Sequence, residues 1–164
     1  MNQQTTKLNV TTPSDLEIVM WRSFNAPREL VFEAHSKPEH IKRWWGPRAY
    51  DMPVCEMDFR PGGAWRYVHW SEGEEYAFHG TFLQIVPPEK IEWTFAWEGM
   101  PGHVVTETMV LTEQDGVTTL TTTSLFATKE DRDGMLQSGM ESGAAESMDR
   151  LAELLVELTR VSEE

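Results

Sequence analysis

Between residues 52 and 126 apolar and polar side chains alternate in short runs, each closed by a break rich in Gly, Pro or acidic residues. "MPVCEMDF" (52–59) leads through "RPGG" into "AWRYVHW" (64–70), and "SEGE" turns the chain into "EYAFHGTFLQIV" (75–86). "PPEK" leads into "IEWTFAW" (91–97), and "EGMPG" into "HVVTETMVLTEQ" (103–114). Asp115-Gly116, the strongest two-residue hairpin signal present, opens "VTTLTTTSLF" (117–126). A period of two with tight turns predicts an antiparallel meander of six strands. "DLEIVMWRSF" (15–24), rich in β-formers, predicts one more strand before it.

The two flanks follow a helical period instead. "NAPREL" offers Asn25 as a cap and Pro27 in a first turn, and Leu30, Val31 and Ala34 then share one face of a short helix. Pro38 ends it. A second short helix carries Ile41, Trp44 and Trp45 at helical spacing and stops at Gly46-Pro47. From Lys129 to Val161 the pattern predicts one long helix, with Met140, Ala144, Met148, Leu151, Leu154, Leu155 and Leu158 on its apolar stripe. The polar, Thr-rich residues 1–14 read as a flexible tail, and residues 15–161 as one domain. A sheet with a helix laid across it is a two-layer α+β solution.

Counting outward from each turn predicts register, because a sheet face repeats every second residue. Phe59 is set opposite Trp65, Met57 opposite Tyr67 and Cys55 opposite His69; Tyr67 then faces Phe78, and His69 faces Tyr76. Phe82 is set opposite Phe95, Gln84 opposite Trp93, Met109 opposite Thr122 and Glu107 opposite Ser124. One face thereby collects Met57, Phe59, Trp65, Tyr67, Phe78, Phe82, Trp93, Phe95 and Met109, which makes it the buried one. The other collects Glu56, Arg66, His79 and a row of threonines, with Asp58 and Arg66 predicted as a surface ion pair. In its middle, where it crosses the buried face, the long helix offers small residues, Gly139, Gly143, Ala144 and Ala145. Either the helix approaches closely over a packed core, or a curved sheet stands off and leaves a cavity.

Composition narrows the partners. The 164 residues carry 14 basic against 27 acidic side chains, a net charge of −13. Such a surface repels phosphate backbones and anionic membranes, so nucleic acid and membrane partners are not expected. No apolar run suggests a signal peptide or a membrane span, which predicts a cytoplasmic location. Cys55 is the only cysteine and cannot form an intrachain disulfide. The five histidines have no metal-ligand spacing, so neither metal nor cofactor is expected.

Two polar features bear on chemistry. Glu107 falls on the buried face, where a carboxylate is paired or has a raised pKa. There it would orient a ligand hydroxyl or act as a general base, unless it lies near a strand end and reaches water. Cys55 and His69 fall opposite each other; such a pair can form an activated thiolate, or the cysteine is simply a small buried hydrophobe.

"RSFNAPRELVFEAHSKPEHIKRWWGP", "CEMDFRPGGAWRY", "GTFLQIVPPEKIEWTF" and "GMESGAAESMDRLAELL" stand here in the order found in one family. Over residues 15–158 the chain resembles the AHSA-type branch of the SRPBCC (START-like, birch-allergen-like) superfamily, named after the activator of a heat-shock chaperone ATPase. The resemblance implies the helix-grip fold, a curved antiparallel sheet wrapped around a long C-terminal helix, with two short helices after the first strand. It also implies a cavity between sheet and helix for a small apolar molecule, lipid-like, aromatic or polyketide-like. Its walls would be Met57, Phe59, Trp65, Tyr67, His69, Phe78, Phe82, Trp93, Phe95, Glu107 and Met109 from the sheet, and Met140 and Ala144 from the helix. Trp44 and Trp45 would border it, one ring plugging the core and the other lining or lidding the pocket. The alternative is a cyclase- or aromatase-like enzyme using Glu107, His69 or Tyr67 as acid–base groups. Eukaryotic chaperone activators of this kind carry an additional N-terminal domain, whereas a short polar segment precedes residue 15 here, so chaperone binding is not expected. A homodimer is left open.

Overall fold

The Asp115-Gly116 turn sets the register of the sheet. Both residues adopt positive φ, 54° and 78°, the conformation a two-residue hairpin turn requires. The turn joins β7 (Val105–Gln114) to β8 (Val117–Leu125), with Leu111 opposite Leu120, Met109 opposite Thr122 and Glu107 opposite Ser124, as expected. The structure, a computed structural model, describes residues 5–162. Before β7 come β3 (Asp51–Met57), β4 (Ala64–Ser71), β5 (Glu74–Val86) and β6 (Lys90–Trp97). β2 (Glu17–Phe24) pairs with β8 across the length of the chain, and β1 (Asn9–Thr11) adds an edge. The eight strands form one antiparallel, unclosed sheet in the order β1-β2-β8-β7-β6-β5-β4-β3. Two short helices, α1 (Arg28–Ser36) and α2 (Pro38–Trp44), follow β2, and α3 (Lys129–Gln137) and α4 (Met140–Ser162) close the chain. This is the helix-grip α+β fold.

Several local expectations are corrected. Residues 9–11, read as tail, form β1; the first four residues lie outside the described ones. Pro27 rather than Asn25 occupies the cap of α1. The long C-terminal helix is broken: Ser138 caps α3, and Gly139 takes φ +84°, a conformation that ends an α-helix. Around "RPGG" the strands pair two residues away from the count, with Met57 opposite Trp65 and Cys55 opposite Tyr67. Phe59 has left the ladder for a turn closed by Arg60 N–H to Asp58 O and Gly63 N–H to Arg60 O, both 2.8 Å. A shift of two preserves the face of every side chain, so the buried set survives.

Around "PPEK" the slip is one residue, with Ile85 opposite Ile91, and it would have turned β5 inside out. A bulge between Phe82 and Gln84 restores the face, leaving Phe82 opposite Trp93 instead of Phe95. The expected Asp58–Arg66 pair is absent. Asp58 binds Arg60, while Arg66 makes a two-pronged contact with Glu98 at 2.8 and 3.1 Å.

The core is in two pieces. The larger one gathers Phe24, Val31, Ile41, Trp44, Trp65, Tyr67, Phe82, Ile91, Leu111, Leu151, Leu154 and Leu155 under the C-terminal half of α4. The smaller gathers Ile18, Val105 and Phe126, with Met135 and Met140 packed against it at the α3–α4 junction. Trp65 anchors the larger piece, stacked on Trp93 with centroids 4.0 Å apart, its indole N–H donated to Thr94 O at 3.1 Å. Gly80 permits this, since a Cβ there would stand 1.8 Å from Thr94 O and 2.7 Å from the Trp65 indole nitrogen.

Two glycine substitutions should therefore differ in sign. Gly80→Ala should lower unfolding free energy by more than about 2 kcal/mol, because the clash is with backbone. Gly134→Ala, inside α3 with nothing near its Cβ, should raise it by about 0.5–1 kcal/mol. Urea titration of both variants reads the difference directly.

Candidate functional site

Between the two core pieces lies a cavity of about 390 Å³, walled by β2 and β4–β8 on one side and by α4 on the other. Its roof is low in side-chain bulk where α4 crosses, at Gly143 and Ala144. The break at Gly139 brings Met135 of α3 and Met140 of α4 to the same wall. A larger depression of about 550 Å³ lies on the outer sheet face among Arg66, His79, Thr81 and Thr94. That face carries the Arg66–Glu98–His79 ion pairs and is solvated, so the pocket beneath α4 is the candidate site.

The Trp pair closes one side of it. Trp44 is 3 % exposed and donates its indole N–H to Ala34 O at 2.9 Å, locking α2 against α1. Trp45, just past the helix end, packs its ring against Tyr67, His69, Phe78 and Phe95 at centroid distances of 5.0–6.3 Å. The segment that follows is clipped to α4. Ser147 accepts from Gly46 N–H and donates to Trp44 O, and Arg150 donates to Gly46 O at 2.7 Å. From β4, His69 reaches Trp45 O at 3.2 Å.

Glu107 is the only acidic residue among the lining side chains, and no Lys or Arg stands among them. Trp93 donates its indole N–H to one carboxylate oxygen at 2.8 Å, and Ser124 donates its hydroxyl to the other at 2.7 Å. Burial raises the Glu107 pKa, and those two hydrogen bonds hold it down in part. The side chain is half-buried by area, and as a lining residue its open surface faces the cavity.

His35 enters from α1. It is 6 % exposed, its Nδ1 donates to Val31 O at 2.8 Å, and burial lowers its pKa to about 4. Burial lowers the His69 pKa too, with the nearby Arg150 charge adding to the effect. Both imidazoles are therefore neutral near pH 7.

Of the residues proposed from sequence, Trp44, Trp45, His69, Phe78, Trp93, Phe95, Glu107, Met109, Met140 and Ala144 line this cavity. The other five do not. Trp65, Tyr67 and Phe82 are buried in the larger core, and Tyr67 directs its hydroxyl at Met57 Sδ, 3.9 Å away. Met57 and Phe59 pack against the outside of that core, Phe59 edge-on to Phe32 and Phe82. Cys55 and His69 are not neighbours across the ladder. Cys55 faces Tyr67, and burial pushes its thiol up to about 11, away from thiolate chemistry.

Sequence reasoning missed Ile18, Met20, Thr122 and Phe126, because only the long-range β2–β8 pairing brings the first and last strands together here. It also missed His35, whose signal was available. Val31 lies one turn before it on the apolar face of α1. Tyr50 lies in an irregular segment with no periodicity to read.

The family described as Activator of Hsp90 ATPase homolog 1-like protein matches residues 25–156. Among solved structures, a Rhodobacter sphaeroides protein aligns over 92% of this chain and 98% of its own, at 24% identity and a TM-score of 0.86. A Nitrosomonas europaea protein aligns over 91% and 99%, at 24% identity and a TM-score of 0.82. A Staphylococcus epidermidis protein aligns over 91% and 94%, at 26% identity and a TM-score of 0.75. These likenesses establish the fold. A comparison with curated proteins finds no match.

The two buried ionisable groups should shape stability in opposite pH windows. His35 is protonated in the unfolded chain below its ordinary 6.5 but in the folded one only near 4, so stability should fall as pH drops through that interval, by roughly 3 kcal/mol. His35→Gln should flatten this slope. For Glu107 the folded chain holds its proton above the ordinary 4.5, so stability should fall as pH rises through the raised value. Glu107→Gln should remove that loss, leaving the variant equal to or about 1 kcal/mol above the parent near pH 7 and showing no gain under acid conditions. Urea titrations across pH 4–8 check both signs.

Proposed function

We propose that this chain, which belongs to the Activator of Hsp90 ATPase homolog 1-like family, binds a small, largely apolar molecule in the cavity between its sheet and α4. The partly open pocket of about 390 Å³ carries the reading, since an apolar concavity of that size between sheet and helix lies in the range of small-molecule sites. Its walls suit such a guest. Aromatic rings and methionines supply a deformable apolar surface, and Glu107, Thr122 and the two imidazoles supply a few convergent polar groups.

A second reading rests on Glu107 alone. A carboxylate made more basic by burial and aimed into an apolar pocket is equipped to act as a general base in a cyclase- or aromatase-like reaction. Of the other two acid–base groups considered from sequence, His69 lines the pocket, whereas Tyr67 has no place in it, because its hydroxyl points into the core and burial raises its pKa further. The two readings part on turnover. A bound molecule recovered unchanged after incubation with protein supports binding alone, and one recovered altered by the parent but not by Glu107→Gln supports catalysis.

Ala144→Trp tests the site itself. If the cavity takes a ligand, the indole should fill it with little loss of stability, and uptake of an apolar fluorescent probe should fall at least about tenfold. A loss of about 1–3 kcal/mol with probe binding unchanged would mean that the probe sits elsewhere. Native mass spectrometry of protein from its own host, followed by extraction, should recover a stoichiometric small molecule.

A further inference from the structure

Most of the donors around the cavity are already committed. Trp93 and Ser124 donate to Glu107, Trp44 donates to Ala34 O, His35 to Val31 O and His69 to Trp45 O. What these groups leave to a guest is acceptors. A carboxylate has about four lone-pair sites, and two of those on Glu107 are filled. With Nδ1 protonated, His35 presents Nε2 as a lone pair, and that nitrogen has no hydrogen bond among the described residues. His69 donates through Nε2 and so presents Nδ1 in the same way. The Trp45 indole N–H has no hydrogen bond among the described residues, and the Thr122 and Tyr50 hydroxyls can act either way.

Charge points the same way. Burial and two hydrogen bonds act on Glu107, and no cationic side chain is among the influences on it. Arg150 sits at the other boundary, occupied with the carbonyls of Gly46 and Pro47. A carboxylate in an apolar cavity is costly unless a cation or further donors reach it. The rings of Trp45, Phe78 and Phe95 line the same cavity, and aromatic faces attract a cation. An anionic guest meets an acid, acceptor nitrogens and a chain of net charge −13.

We infer that the cavity is built for an organic amine bound as its ammonium ion, with the nitrogen donating to Glu107 and the apolar body lying among Trp45, Phe78, Phe95 and Met140. This rests on the proposal that the cavity takes a small molecule, and four probes sharing one naphthyl body separate the two. Naphthylethylamine, naphthylethanol, naphthylpropionate and ethylnaphthalene are titrated near neutral pH by calorimetry and tryptophan fluorescence. The amine should bind roughly tenfold or more tighter than the alcohol and ethylnaphthalene, with the carboxylate weakest. Glu107→Gln should bring the amine down to the alcohol and leave ethylnaphthalene unchanged. If ethylnaphthalene binds and the amine has no advantage, or if the carboxylate matches the amine, the amine assignment falls while the cavity reading stands. If Glu107→Gln folds and keeps the amine's advantage, the assignment also falls. If none of the four binds, both fall. The ranking on the parent protein decides the matter even should the variant fail to fold.

Discussion

The hydrogen bonds on Glu107 are the constraint on which the site depends. Trp93 on β6, Glu107 on β7 and Ser124 on β8 stand side by side on the inner sheet face, and the carboxylate bridges its neighbours. The same Trp93 is stacked on Trp65, the anchor of the larger core. One indole thus uses its face for packing and its N–H for the acid. A buried carboxylate with two good donors stays in place and keeps lone pairs to spare, whereas one with none would be driven out or neutralised.

The cavity is kept open by a mismatch between the layers. Below are large rings whose spacing is set by the ladder. Above, α4 brings Gly143 and Ala144, and its N-terminal end is displaced from the line of α3 by the turn at Gly139. Bulk returns with Met148, and at Leu151, Leu154 and Leu155 sheet and helix close into solid core. The strap after Trp45 then fixes that side. Its carbonyls and amide are held by Ser147, Arg150 and His69, so Trp45 is a wall held from two directions.

Much of this was legible in the sequence, for identifiable reasons. Period-two alternation with one strong hairpin signal at Asp115-Gly116 placed Glu107 inside and opposite Ser124. Small helix residues facing bulky strand residues raised the question of a cavity at all. Register near "RPGG" and "PPEK" was misread because a turn's closing hydrogen bonds, and a bulge at Leu83, are set by backbone geometry that side-chain alternation does not encode. The five expected residues that lie outside the pocket do so for one reason. Met57, Phe59, Trp65, Tyr67 and Phe82 are on the inner face or just off it, but face alone does not say whether a residue lies under the filled or the open part of the helix. The β2–β8 pairing and the break at Gly139 decide that, and both are long-range outcomes.

The central claim is that Glu107 is a buried carboxylate open to the cavity and held by Trp93. The Trp93 indole N–H resonance, assigned by Trp93→Phe and followed by NMR through a pH titration, reports on it directly. The account predicts a downfield resonance protected from exchange, titrating with a midpoint above the ordinary Glu value of 4.5 and shifting when an apolar amine is added. A rapidly exchanging resonance that titrates at or below that value, and ignores the amine, would mean that Glu107 sits in bulk water and would contradict the account.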